Sequence, residues 1–223
     1  MGRLSGAVCI FDLDGTLVDS APDLTAALNV MLGRAGLKPM SPDETRQYVG
    51  EGARALLKLG YARQGQVFPD NEEGDALVDA YVAVYAARIA DLSHPFPGLE
   101  PALTRLKAEG ASLAVCTNKK EVLARPLLEE LNLMHWFEPV IGSDTLSERK
   151  PSPLPLQHIV RETRADRGIM IGDTKTDLHA AEAAGIPSLI ATFGYGRSDE
   201  ALANANWFES FEDLPDLILN QLG

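Results

Sequence analysis

This sequence is poor in the residues that build disulfide- or zinc-held folds. It has two cysteines, Cys9 and Cys116, and four histidines in 223 residues. Two cysteines exclude a disulfide-dense scaffold and fit a reducing compartment. Each lies in an apolar run and reads as a buried thiol, although sequence leaves a Cys9–Cys116 disulfide open. The histidines are scattered and none stands at a metal-ligand spacing, so there is no zinc signal. Positive charge is scarce as well: 20 Lys and Arg face 32 Asp and Glu, for a net charge of −12. So acidic a chain is not expected to bind nucleic acid or an anionic membrane. It also repels phosphate-bearing ligands at long range, so a site for one needs local cations. No signal peptide and no apolar run long enough to span a bilayer is visible, and a cytoplasmic location is expected. Internal repeats and low-complexity tracts are missing too.

What is present begins with one stretch, VCIFDLDGTLVDS from Val8 to Ser20. Val8–Phe11 is apolar and long enough for a short buried strand. Asp12 and Asp14 follow, two apart, and Gly15-Thr16 turns the chain. An extended Val8–Asp12 puts Asp12 at the strand end and Asp14 on the loop beyond it. Open parallel α/β sheets hold their ligands there. An Asp-Gly turn alone is common. Two acids at the mouth of an apolar strand are less ordinary. In a dry site they repel unless a divalent cation, a shared proton or different environments relieve them.

Apolar residues make up 45 % of the chain, enough for a sizeable core in one large domain or two smaller ones. From Ala21 to about Ala90 the pattern is helical throughout. Ser20 with Asp23 and Ser41 with Glu44 read as helix starts, with an acid three residues after the cap. Gly50-Glu51-Gly52 interrupts, and two further apolar helical faces follow, over Ala53–Tyr61 and Leu77–Ala87. His94-Pro95-Phe96-Pro97-Gly98 marks a boundary. Beyond it helices alternate with short apolar runs at 113–116, 139–141, 169–171 and 188–191, with a last short strand at 207–208. Such alternation makes a parallel sheet covered on both faces. The first strand belongs to the same sheet, so the helical segment is an insertion. The expected fold is α/β, a Rossmann-like parallel sheet core of residues 1–18 and 95–223 with an all-helical cap domain of residues 19–94.

Other strand ends carry polar groups. Leu113–Cys116 runs into Thr117-Asn118-Lys119, where a hydroxyl, an amide and backbone N–H groups can hold phosphate oxygens. Lys150, ahead of Pro151-Ser152-Pro153, is a placed point charge. Ile169–Ile171 runs into Gly172-Asp173-Thr174-Lys175-Thr176-Asp177. Asp173 leaves its strand as Asp12 does, and Asp177 is a candidate helix cap. The carboxylates are hard ligands suited to Mg²⁺, and the whole inventory suits phosphoryl transfer.

At this point the chain resembles a known group. DLDGTLVDS at 12–20, CTN at 116–118, KPSP at 150–153 and GDTKTD at 172–177 look like the four ordered motifs of the haloacid dehalogenase-like hydrolase superfamily. VGEGARALL at 49–57, CTNKK at 116–120 and AAEAAGIPSLIATFGYG at 180–196 look most like its phosphoglycolate phosphatase branch. The resemblance implies Mg²⁺-dependent catalysis. Asp12 would be the nucleophile, forming an aspartyl-phosphate. Asp14 would protonate the leaving alcohol and then activate water. Thr117, Asn118 and Lys150 would bind the phosphoryl group. The metal would sit on Asp12, the Asp14 backbone carbonyl and Asp173, with Asp177 in support. The branch that cleaves carbon–halogen bonds lacks an acid at the Asp14 position, so phosphate esters are implied. About eighty residues separate Thr16 from Pro97 and only 33 separate Thr117 from Lys150, which locates the cap after the first motif. In the family, the loop carrying Gly50, Gly52 and Arg54 faces the substrate, and Arg54 could pair with a substrate carboxylate.

The leading expectation is a phosphatase for a small phosphorylated metabolite, with 2-phosphoglycolate the single best substrate, acting as a monomer or homodimer. The competing readings are a phosphatase for a sugar phosphate, a nucleotide or pyrophosphate, and a sugar phosphomutase. A binding module without turnover would be marked by loss of Asp12, Asp14 or Asp173, and all three are present.

Overall fold

A computed structural model describes residues 2–223 of the chain. It divides into two compact units. One comprises the chain up to Val18 together with Pro95–Gly223; the other is Asp19–His94.

The first unit is built on six strands: Ala7–Phe11 (β1), Ser112–Cys116 (β4), Val140–Ile141 (β5), Arg167–Gly172 (β6), Ser188–Ala191 (β7) and Trp207–Phe208 (β8). Val18–Asp19 (β2) and His94–Pro95 (β3) pair separately as a short ribbon. The six strands lie in the order β5-β4-β1-β6-β7-β8, and every pairing is parallel. This is the doubly wound arrangement, in which the strand order reverses at β1. Register fixes which ends coincide. Phe11 is level with Val115 of β4 and Ile171 of β6, so the residues just beyond all three emerge together.

Helices cover the sheet: Leu99–Ala108 (α5), Glu121–Glu130 (α6), Leu154–Glu162 (α7), Lys175–Ala184 (α8) and Leu214–Leu222 (α9). Alternation along β1 decides which face each residue serves. Val8 and Ile10 join Ala114, Cys116 and Met170 on one face, where Leu156 and Ile159 of α7 and Ala180 and Ala181 of α8 cover them. Phe11 points the other way and meets the Phe137 ring edge-on. Ala7–Phe11 is buried along its whole length, as a central strand clad on both faces requires. Cys9 and Cys116 are both buried and free. Burial pushes each thiol up to about 12, which leaves them inert as nucleophiles.

The second unit contains only helices apart from the ribbon residues: Ala21–Arg34 (α1), Pro42–Thr45 (α2), Ala53–Ala62 (α3) and Glu72–Ala86 (α4). Tyr81 of α4 donates its hydroxyl to the Leu24 carbonyl of α1 at 3.1 Å. Two expectations about caps resolve differently. Ser41 starts α2 as its spacing indicates, with the Glu44 carboxylate accepting from its N–H at 2.8 Å and its hydroxyl at 2.9 Å. Ser20 stands at the N-cap position of α1 as expected, but its backbone is already helical and its side chain makes no capping bond. Asp23, the acid three residues on, instead accepts from the N–H groups of Leu92 and Ser93 and from the Ser93 hydroxyl, at 2.6–3.1 Å. Donors 69 and 70 residues away in the chain thus take up the carboxylate that a local cap would use.

Candidate active site

Three strand ends build the site, all within the sheet unit. β1 ends at Phe11 and delivers Asp12 and Asp14. The loop is tight: the Leu13 carbonyl accepts from Leu17 and Val18 at 3.0 Å each, and Gly15 N donates to Val18 O at 2.9 Å. Gly15 has φ +83°, and a Cβ there would run into the Asp173 carboxylate and the Tyr195 ring. Only glycine satisfies both demands. Asp12 Oδ1 accepts from its neighbour's N–H, Leu13, at 2.7 Å.

β4 delivers Thr117, Asn118 and Lys119. The Thr117 hydroxyl accepts from Lys119 N at 3.1 Å. The Asn118 amide donates to the Lys150 carbonyl at 3.0 Å, so that side chain ties two of the predicted motifs together; its Oδ1 is buried with no protein partner. Lys150 is almost fully buried, with its ammonium 3.1 Å from Asp12 and 2.5 Å from Asp177. Burial works against its charge, but Asp12 and Asp177 outweigh that and hold it well above the usual lysine range.

β6 delivers Asp173, and α8 begins two residues later. Its cap is Thr174, not Asp177. Asp177 stands in the first turn and accepts from Thr174 N at 3.0 Å, Thr174 Oγ1 at 2.7 Å and Asp173 N at 3.3 Å. The helix start and the Lys150 contact therefore share one carboxylate, which is why Asp177 is fully buried. Asp173 is clamped from two directions. Thr16 Oγ1 donates to its Oδ1 at 3.1 Å and Tyr195 N to its Oδ2 at 2.7 Å. Gly194 and Gly196 lie so close to Asp173 that a Cβ on either would collide with it. Phe193 anchors that loop by packing on Phe96, Phe208 and Phe211.

The electrostatics are unbalanced. Asp12, Asp14, Asp173 and Asp177 are all buried. Among the described residues, two ammonium groups meet them, Lys150 and Lys119, the latter on Asp14 at 2.8 and 3.0 Å. Four carboxylates against two cations leave two negative charges out of water. The consequence is visible in the acids. Burial, with Asp177 and Asp14 adding to it and Lys150 opposing, pushes Asp12 up to about 7. Burial and the neighbouring Asp177 and Asp12 raise Asp173 well above the carboxylate range. Oxygens of Asp12, Asp173 and Asp177 lie within 4.8 Å of one another, so the cluster could hold a metal ion. The donor set is all oxygen and the charge deficit is two, which fits a hard divalent cation.

The structure thus brings Asp12, Asp14, Thr117, Asn118, Lys150, Asp173 and Asp177 to one end of one sheet. Gly50, Gly52 and Arg54 belong to the helical unit. Gly50 and Gly52 have φ +94° and +100°, and Gly52 immediately precedes α3. Arg54 is engaged by Asp70 and Asp75 and lies over the Phe68 ring. Thr16 and Lys119 stood in the quoted motifs without a role, and the Gly194–Gly196 loop entered only through the resemblance over residues 180–196. Lys119 adjoins the Thr117-Asn118 pair, and its place in that motif was the available signal.

The match to known proteins agrees with this geometry. A family model described as haloacid dehalogenase-like hydrolase matches residues 9–191. A phosphoglycolate phosphatase of Caulobacter vibrioides is 44 % identical over 98 % of this chain and 93 % of its own length. One from Agrobacterium fabrum is 40 % identical over 84 % of this chain and 81 % of its own. A solved structure described as a predicted phosphoglycolate phosphatase of Haemophilus somnus superposes with a TM-score of 0.87 at 27 % identity, covering 97 % of this chain and 99 % of that one. Among the described residues no helix is long and apolar enough to cross a membrane. On its motifs, its strand-end carboxylates and its relatives, this chain belongs to the haloacid dehalogenase-like hydrolase family.

Proposed function

We propose that the protein is a Mg²⁺-dependent phosphatase that hydrolyses 2-phosphoglycolate to glycolate and phosphate. The observation that carries the reading is the pairing of Asp12 and Asp14 on one loop, with Lys150 against the first and Lys119 against the second. Two carboxylates with different cation partners can take different roles. The names of the relatives support the substrate.

In this reading an Asp12 oxygen attacks phosphorus and the bond from phosphorus to the ester oxygen breaks. A proton on Asp14 passes to the departing alkoxide. Asp14, now a carboxylate, takes a proton from water; the water oxygen attacks phosphorus and the bond to Asp12 breaks, releasing phosphate. Thr117 and Lys150 hold the phosphoryl oxygens, and Asn118 holds the Lys150 turn in register with them. Asp12, the Asp14 carbonyl and Asp173 would hold the metal, with Asp177 fixing the β6–α8 corner behind them. Mg²⁺ would neutralise the paired acids and the phosphoryl charge. Tyr195 N and Thr16 keep Asp173 in position.

The test is phosphate release from a panel of small phosphomonoesters with Mg²⁺, on wild type and Asp12→Asn. The wild type should turn over 2-phosphoglycolate best, and excess chelator should stop it. Asp12→Asn should fold and lose roughly three orders of magnitude or more in kcat. Retained activity in Asp12→Asn removes the nucleophile assignment; a better substrate elsewhere in the panel removes 2-phosphoglycolate.

A further inference from the structure

Lys119 is the cation in this site that the phosphoryl chemistry does not require. Its side chain is 5 % exposed, and its ammonium holds both oxygens of Asp14, at 2.8 and 3.0 Å. Its backbone is pinned from both sides: the N–H donates to Thr117 Oγ1 at 3.1 Å, and the carbonyl accepts from Ser143 N at 3.0 Å. A long flexible side chain so buried and so anchored is costly in entropy and desolvation, which a resting ion pair does not explain by itself. Surface lysines bear no such cost.

Resting on the phosphatase reading above, we propose that Lys119 is the specificity-determining residue of this site, and that its ammonium pairs with a carboxylate on the carbon next to the ester oxygen. The class selected is 2-phosphocarboxylates over phosphomonoesters with an uncharged leaving group. The geometry follows from Asp14. Whatever alcohol oxygen Asp14 protonates lies one hydrogen bond from that carboxyl, and Lys119 lies one hydrogen bond beyond. The two together place the ammonium no more than about 5–6 Å from the leaving oxygen. A carboxylate one carbon removed from that oxygen spans the gap. One ammonium can serve two carboxylates at once, as Lys150 does with Asp12 and Asp177 in the same site. Arg54, the cap's candidate for such a carboxylate, is committed to Asp70 and Asp75.

The experiment compares kcat and KM for 2-phosphoglycolate and ethyl phosphate, with saturating Mg²⁺, in wild type, Lys119→Met and Lys119→Arg. Wild type should prefer 2-phosphoglycolate. In Lys119→Met both activities should fall as Asp14 loses its partner. The preference ratio should drop about 30-fold or more, chiefly through KM, because an uncompensated substrate charge would be buried. Lys119→Arg should keep most of the preference. A preference that survives Lys119→Met overturns the assignment while leaving the substrate reading standing. A wild type that favours ethyl phosphate overturns the substrate reading and the assignment with it. Should Lys119→Met not fold, the comparison moves to binding in Asp14→Asn and Asp14→Asn/Lys119→Met, where the unpaired acid is gone. There, an unchanged ratio of the two dissociation constants counts against Lys119, and a fallen one supports it.

Discussion

At the scale of the residue, the site is a set of acids held in a state they would not choose in water. Asp12 has an ordinary value near 3.8 and is pushed up to about 7, chiefly by burial; Asp173 is raised in the same sense. The sign of the linkage follows. Between about 4 and 7 the folded chain retains protons that the unfolded chain has released. The stability Asp12 contributes is complete below about 4 and drains as pH rises through 7. A bound divalent cation takes the place of those protons. At pH 5.5 it must expel a proton from Asp12; at pH 8 that proton is already gone. The rise in Tm produced by Mg²⁺ over chelator should therefore be larger at pH 8 than at pH 5.5, as read by thermal denaturation. An equal or larger rise at pH 5.5 would mean that the ion does not bind at these carboxylates. Single residues also mark where sequence stopped being informative. Asp12 and Asp173 were legible because a carboxylate closing an apolar strand has few bland explanations, and Asp14 because it follows Asp12 by two residues. Lys119 was less so: its place beside Thr117-Asn118 was a signal, but sequence does not separate a buried ammonium from a solvated one. Burial is a property of the fold, and only Asp14 lying opposite reveals it.

At the scale of the element, strand ends and helix starts do the positioning. The strands were legible as apolar runs, and their parallel order followed from alternation with helices. The corner between β6 and α8 was less so: Asp177 was a candidate cap, yet Thr174 holds that place and Asp177 faces Lys150 from the first turn. Both residue types cap helices, and the choice was made by the buried ammonium, a contact 27 residues away in the chain. The loop after β7 was opaque for a similar reason. Its Gly-Tyr-Gly entered only as part of the resemblance over residues 180–196; in the structure Phe193 packs into an aromatic cluster and Gly194 and Gly196 lie against Asp173. Gly194→Ala tests that support. The added methyl must push Asp173 or the loop aside, since the space is already taken by the Asp173 side chain. Moving a carboxylate proposed to hold the metal should raise the Mg²⁺ concentration for half-maximal activity by roughly 10- to 100-fold. The fold should persist, as circular dichroism would report. An unaltered Mg²⁺ requirement would show that the loop does not set the position of Asp173.

At the scale of the whole molecule, the charge of −12 works against the ligand that the site is proposed to take. A phosphomonoester bearing a carboxylate approaches an acidic surface with up to three negative charges of its own. The two buried ammonium groups and a bound divalent cation cancel the four site carboxylates locally, so what is left at a distance is repulsion. Salt acts differently on the two parts. Raising ionic strength from about 10 mM to 150 mM shortens the screening length from about 30 Å to 8 Å, which weakens the long-range field far more than contacts among buried groups. Added salt should therefore help binding, opposite to the usual case of an anion steered to a basic protein. With Mg²⁺ saturating, KM for 2-phosphoglycolate should fall by roughly two- to threefold over that range, and less for ethyl phosphate, which carries one charge fewer. Steady-state kinetics at matched Mg²⁺ activity would read this directly. A KM that climbs with salt would mean that the field at the mouth of the site is positive. In that case the lysines reach further into solvent than their side-chain exposures of 1 % and 5 % imply.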